Sequence, residues 1–289
     1  MKKELCMKKP VASSFSNLAT IQGILLNYRQ GQNWIAEKFI NFMAFYDNGL
    51  EDMKPHFFFP SHTCLGGNYL MYTKNIFVDN LENYVLPHEM VSTLGGIIQF
   101  CKEAILHDCY VNFFINRGYI SAANITNLVH ETFAYGFDDD KEELYIMDYF
   151  NGNPFSKYHC SYDEIEKAYE NCDRFYMAEG KKIPITGLTL TKYVQRDNDV
   201  LDIDVIRGNL ENYLNAVNLA GTITVFHSSF DKKAERYWGI NSYGAYEKYF
   251  LEYLNSAKTI SFSVVRNCHH LLDHKNSLLY TIRMLNDLD

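Results

Sequence analysis

The chain has 289 residues, 47% of them hydrophobic and 21% charged, which describes a folded globular protein with a sizeable core in one large domain or two smaller ones. Its net charge of -8, its pI near 5.7 and the lack of clustered Lys and Arg exclude nucleic acid as the expected partner. No run reaches transmembrane length, and MKKELCMKKP has the charge of a signal n-region without an apolar segment behind it. The expectation is a cytoplasmic protein with no membrane partner. Its seven cysteines (Cys6, Cys64, Cys101, Cys109, Cys160, Cys172, Cys268) are odd in number and form no CxxC pair, so they read as reduced and mostly buried thiols.

Ser13 and Ser14 precede FSNLATIQGILLNY, where Phe15, Leu18, Ile21, Leu25 and Tyr28 recur at three and four residues. That spacing predicts a helix with its N-cap among the serines. Trp34 to Phe45 reads as a second helical stretch, ended by Asp47, Asn48 and Gly49. Lys54 to Tyr72 is broken by Pro60, Gly66 and Gly67, so extended or loop structure is expected there. Leu86 to His107 opens with Pro87 and continues helically, weakened by Gly95 and Gly96. Tyr110 to Ile120 alternates as a strand does.

Val129 to Phe150, VHETFAYGFDDDKEELYIMDYF, has two aromatic and β-branched runs around Asp138, Asp139, Asp140 and Lys141, the pattern of strand, turn and strand. A turn centred on Asp139 to Lys141 sets Thr132 near Asp148 and His130 near Phe150. His130 and Asp148 then share a face as diagonal neighbours, roughly 7 Å apart at Cβ. A base held by an acid is the chemistry such a pair offers; an ordinary strand histidine beside a surface aspartate is the plain alternative. With the preceding strand, three strands in succession imply an antiparallel sheet.

Ser161 and Glu164 make a capping-box pattern, so a helix is expected directly after the hairpin. Gly180, Pro184 and Gly187 mark a soft boundary, dividing the chain into residues 1–180 and 181–289. Beyond it, Asp204 to Leu219, Tyr243 to Ala257 and Leu271 to Leu288 carry helical spacing. This mainly helical half is expected to wall a cleft or to form a homodimer.

His270 and His274 share a helix face beside Cys268 and His269, but Leu271 stands where a zincin has its glutamate, and a polar helix start is the better reading. His56 and His62 beside Cys64 form a similar weak cluster. No metal or cofactor is expected. The chain lacks GxxxxGK[ST], GxGxxG and GxSxG.

A hydroxyl or thiol at a helix start, then a strand histidine, then an Asp or Asn, is the chain order of papain-like cysteine proteases, and Ser14, His130 and Asp148 follow it. The helix SSFSNLATIQGILL, the hairpin HETFAYGFDDDKEELYIMDYF with SYDEIEKAY, and the close YGAYEKYFLEYL with LLDHKNSLLYTIRML resemble papain-like proteins of antibiotic biosynthesis clusters. These are the relatives of the butirosin biosynthesis protein H and, more narrowly, the amide-forming enzymes of closthioamide-type assembly. The resemblance implies an α+β, papain-like (cysteine protease-like) fold with an antiparallel sheet and a mainly helical C-terminal half. It implies an acyltransferase or amide synthase with Ser14, His130 and Asp148 as its catalytic residues. An acyl or peptidyl carrier protein would bring the acyl group on its phosphopantetheine arm, and a small amine would accept it.

Where such relatives carry cysteine, this chain has Ser13 and Ser14. Three alternatives follow: a serine replacing a native cysteine, a natural serine nucleophile, or a protein that kept the fold for binding without catalysis. A cysteine peptidase or amidohydrolase, with water in place of the amine, is a further alternative. Lys8, Lys9 and Pro10 stand where papain-type enzymes have their oxyanion glutamine, leaving backbone N–H groups at the helix start as the fallback. Cys64, in a Gly-rich loop, is the rival nucleophile, ranked below Ser14 because no helix follows it.

Overall fold

The computed structural model describes residues 1–46, 53–57, 80–178, 181–185, 187–196, 200–219, 235–255 and 262–287. The chain begins with strand β1 (Lys2–Glu4), helices α1 (Ser16–Leu25) and α2 (Arg29–Lys38), and strands β2 (Phe42–Tyr46) and β3 (Met53–Phe57). Strand β4 (Leu81–Pro87), helices α3 (His88–Thr93) and α4 (Ile97–Leu106), and strands β5 (Cys109–Asn116), β6 (Val129–Asp138), β7 (Glu143–Asp148) and β8 (Ser156–Ser161) follow. Helix α5 (Tyr162–Glu170) leads to β9 (Phe175–Ala178), β10 (Lys181–Pro184) and β11 (Gly187–Tyr193). The chain closes with α6 (Ile203–Leu214), β12 (Glu235–Trp238), α7 (Ser242–Asn255) and α8 (Phe262–Asn286). It is an α+β protein.

Two compact units form, each from two separate stretches of chain: Met1–Tyr28 with Asn68–Asp197, and Arg29–Gly67 with Asn198–Asp289. The division expected at 180/181 differs from this. β11 lies past that point, yet it pairs with both β4 and β5, so the first unit extends to Asp197. Residues 29–67 belong with the later helices because α2 packs on α6 and α8.

The first unit is built on a seven-stranded antiparallel sheet in the order β4-β11-β5-β6-β7-β8, with β1 added alongside β6. β5 reads CYVNFFIN and is buried at all but one position, which is why its apolar residues run nearly without a break. Phe113, Phe114, Phe133 and Phe137 are fully enclosed, and truncating such a ring to alanine costs about 3–5 kcal/mol. The capping box before α5 forms as expected: Ser161 accepts from Glu164 N–H, and the Glu164 carboxylate accepts from Ser161 N–H. Contrary to expectation, a further strand, β8, stands between the hairpin and this helix, paired along the whole of β7.

The Leu86–His107 stretch contains a strand end and two helices rather than one helix. Gly95 and Gly96, with φ of 89° and 91°, hold the break between α3 and α4 in a backbone region closed to most side chains. At α1 the N-cap is Phe15, with no side-chain capping bond, so Ser14 lies one residue outside the helix and not in its first turn.

The second unit pairs β12, β2 and β3 in an antiparallel sheet and buries Ala36, Ile40, Leu201, Ile206, Tyr213 and Met284 together. The second helical stretch expected to reach Phe45 ends at Lys38, and Phe42–Tyr46 is a strand. An apolar run this short fits either structure by periodicity alone. α8 starts at Phe262, nine residues before the expected Leu271, so His270 and His274 lie inside it and are buried rather than at a polar start. His274 Nε2 donates to the Ile40 carbonyl at 3.0 Å, and its ring stacks on Phe42. Among the described residues no helix is long and apolar enough to cross a membrane.

Candidate functional site

The site is built where β5, β6 and β7 end. β6 pairs with β7 at Phe133–Met147 and Ala134–Ile146, in the register expected from the turn. Nearer the turn the pairing is offset by one residue, and the bulge at Tyr135 absorbs the difference. Without that extra residue the offset would carry on and turn His130 away from Asp148. Continued past Phe133, the register sets Thr132 against Asp148.

Arg117 follows the last residue of β5. Asn116 fixes the turn there: its side-chain oxygen accepts from Gly118 N–H at 3.0 Å, and its amide donates to Asn127 Oδ1 at 2.9 Å and to the Asn171 carbonyl at 3.3 Å. Arg117 N–H donates to the Leu128 carbonyl at 2.8 Å, closing the loop between β5 and β6. The guanidinium is thereby aimed into the hairpin. Its Nη2 donates to Asp148 Oδ1 and lies 2.7 Å from His130 Nδ1.

This departs from the expected arrangement. The hairpin does bring His130 and Asp148 together, but Arg117, not Asp148, meets His130 Nδ1. A guanidinium only donates, so its approach to Nδ1 favours the tautomer with the ring proton on Nε2. The Glu131 carbonyl lies 2.8 Å from the same Nδ1 and would favour the other tautomer, so either tautomer leaves one mismatch. Burial and then the Arg117 charge lower the His130 pKa to about 3, and the ring is neutral at physiological pH.

Asp148 is 1% exposed. Burial raises its pKa to about 6, opposed by Arg117 and by the Tyr149 N–H that donates to Oδ1 at 2.7 Å. It is mostly ionised at pH 7. Glu131, also buried, is raised to about 8 by burial and by the nearby Asp148 charge, so it is mostly protonated at pH 7. The cluster therefore holds one fixed cation and one carboxylate charge.

Tyr149 joins this cluster to the start of α1, because its hydroxyl donates to the Ser13 carbonyl. The residue before Ser14 is thus held against the residue after Asp148. Beyond them a cleft of about 250 Å³ is lined by Arg117, Ala123, Asn124, Ile125, Tyr149, Asn151 and Gly152. Its walls are two loops. One joins β5 to β6; the other contains a turn in which Asn153 N–H donates to the Phe150 carbonyl, with φ of 54° at Asn151 and 73° at Gly152. Asn-Gly is the usual sequence of a two-residue turn with both φ positive.

Cys101, Cys109, Cys160 and Cys172 are buried as expected, and burial pushes Cys172 to about 11 and Cys160 to about 12. Those thiols are not activated nucleophiles. Cys6 and Cys268 are exposed. The rival nucleophile Cys64, with His62, Gly66 and Gly67, lies outside the described residues, and His56 falls in β3. Among the described residues no group of three His, Cys, Asp or Glu is placed to hold a metal ion.

Arg117 was not singled out in the sequence. The signals for it were Asn-Arg-Gly closing an apolar strand and the Asn151-Gly152 turn opposite. No known family's model matches the chain, and no curated protein matches it.

Proposed function

We propose that the first unit is a papain-like acyltransferase or amide synthase, taking an acyl group from a carrier-protein thioester to a small amine in secondary-metabolite biosynthesis. Ser14 Oγ attacks the thioester carbonyl and its proton passes to His130 Nε2, in the tautomer whose Nδ1–H donates to the Glu131 carbonyl. The C–S bond breaks and the carrier thiol leaves with that proton. The amine then attacks the acyl-enzyme ester, the C–O bond breaks, and the proton that the amine loses passes through His130 to Ser14 Oγ. Asp148 acts through Arg117 to hold the imidazole in place.

What carries the reading is the Tyr149–Ser13 hydrogen bond, which sets the segment before α1 beside the Arg117–His130–Asp148 cluster in the chain order of a papain-type site. The test is incubation with an acyl N-acetylcysteamine thioester and a diamine, followed by mass spectrometry of products and protein. Amide in excess of free acid is expected. Free acid alone would assign the site to a hydrolase.

One observation favours a second reading. Arg117 stands between base and acid, and burial together with its charge keeps His130 a weak base, which suits a papain-like protein that binds an acyl carrier or its product without turnover. Saturable binding of the thioester with neither amide nor acid formed is its signature.

A further inference from the structure

The Arg117 guanidinium is a buried charge with donors to spare. The residue is 6% exposed, and its hydrogen bonds to Asp148 and His130 both run through Nη2. Nε is enclosed and makes no hydrogen bond among the described residues. A guanidinium has five donors; Nε is out of reach of a ligand, but both bonds run through Nη2, which leaves the Nη1 donors for an acceptor in the cleft that Arg117 lines.

The cleft supplies the place. Arg117 lines it, none of the other lining residues is acidic, and Asn124 and Asn151 bring side-chain amides to its two loops. Its 250 Å³ is the share of roughly eight waters, enough for a short chain with a polar head. We infer that this cleft takes a free carboxylate at the far end of the substrate's acyl group, with Arg117, already paired to Asp148, as its hydrogen-bond donor and specificity residue. The inference rests on the acyl-transfer reading and names the substrate class for it. A phosphate would be the other oxyanion to hand, but in a carrier substrate it lies the whole pantetheine arm away from the thioester. Arg117 touches His130, so only a group close to the reacting carbonyl reaches it.

The experiment compares succinyl and butyryl N-acetylcysteamine thioesters, nearly equal in length, by calorimetric titration of the full chain carrying Ser14→Ala. Succinyl is expected to bind at least tenfold more tightly. Arg117→Gln should level the two affinities. Ile125→Glu, at a position 44% exposed and so tolerant of charge, should weaken succinyl about tenfold more than it weakens butyryl. Equal affinities in the parent, or a preference that survives in a folded Ile125→Glu, overturn the inference. A butyryl phosphopantetheine thioester that gains over butyryl N-acetylcysteamine, and loses that gain in Ile125→Glu, would assign the cleft to phosphate and overturn it too. Amide formation by the chain with Ser14 intact is measured alongside. Succinyl preference without turnover sinks acyl transfer and keeps the cleft; turnover without preference does the reverse.

Discussion

The Tyr149 hydroxyl donates to the Ser13 carbonyl across 136 residues of sequence, tying the end of β7 to the start of α1. The two ends of the proposed site are held together by this bond. Tyr149→Phe keeps the ring against Phe155 but removes the donor. A loss of about 1 kcal/mol in urea denaturation is expected. Amide formation should fall by more than that stability change explains, because the serine segment loses its anchor. An unchanged rate in a folded Tyr149→Phe protein would remove Tyr149 from the site.

Arg117 and Asp148 are both buried, and they form a salt bridge. Arg117→Leu leaves the Asp148 carboxylate enclosed without its counter-charge, and a loss of about 3–5 kcal/mol is expected at pH 7.5. The deficit should shrink at pH 5. Asp148 already has a pKa raised to about 6, and without Arg117 it rises further, so the proton taken up at pH 5 cancels the stranded charge. Arg117→Leu with Asp148→Leu should recover most of the loss. A single variant that costs under about 1 kcal/mol at pH 7.5 would mean that the pair is far more hydrated than its burial implies.

Glu131 makes stability fall as pH rises from about 4.5 to about 8. Its folded pKa of about 8 exceeds the ordinary 4.5, so between these values the folded chain holds a proton that the unfolded chain releases. The slope approaches about 1.4 kcal/mol per pH unit where the difference is a full proton. His130 has the opposite sign: its folded pKa of about 3 lies below the ordinary 6.5, and its contribution is lost as pH falls from 6.5 toward 3. Between pH 6.5 and 8 the Glu131 effect therefore dominates this cluster. Urea midpoints at pH 6.5, 7.2 and 8 should fall in the parent and flatten in Glu131→Gln. Equal slopes in the two proteins would show that Glu131 is already ionised at pH 6.5.

The hairpin was legible because period-two alternation and an acidic turn fix register locally, and Phe133–Met147 and Ala134–Ile146 pair as read. The Tyr135 bulge was not legible, since an extra residue in an apolar run leaves no mark in composition. Arg117 was missed for a different reason: it reaches His130 through a closed loop pinned by Asn116, and strand periodicity says nothing of loops. β8 reads SKYHCS and lies half in solvent, so its apolar signal is weak. β11 falls after a Gly- and Pro-bearing stretch that looks like a linker, yet it fills a slot inside the sheet. That long-range pairing is what displaced the domain boundary.

Ser14 sits one residue before the N-cap of α1, so a thiol at this position would gain less from the helix dipole than one in the first turn. Thiolate is still the better nucleophile by far, because a serine hydroxyl stays protonated at neutral pH and His130 is a weak base. Ser14→Cys should therefore raise amide formation by at least tenfold and should accumulate the acyl mass on the protein before the diamine is added. Ser14→Ala should abolish both while the urea midpoint stays within the effect of removing one enclosed hydroxyl. Cys64→Ala is expected to leave the rate unchanged. If Ser14→Cys takes up no acyl group and Cys64→Ala silences the protein, the nucleophile is Cys64, and the cluster at Arg117 would then need a role other than activating position 14.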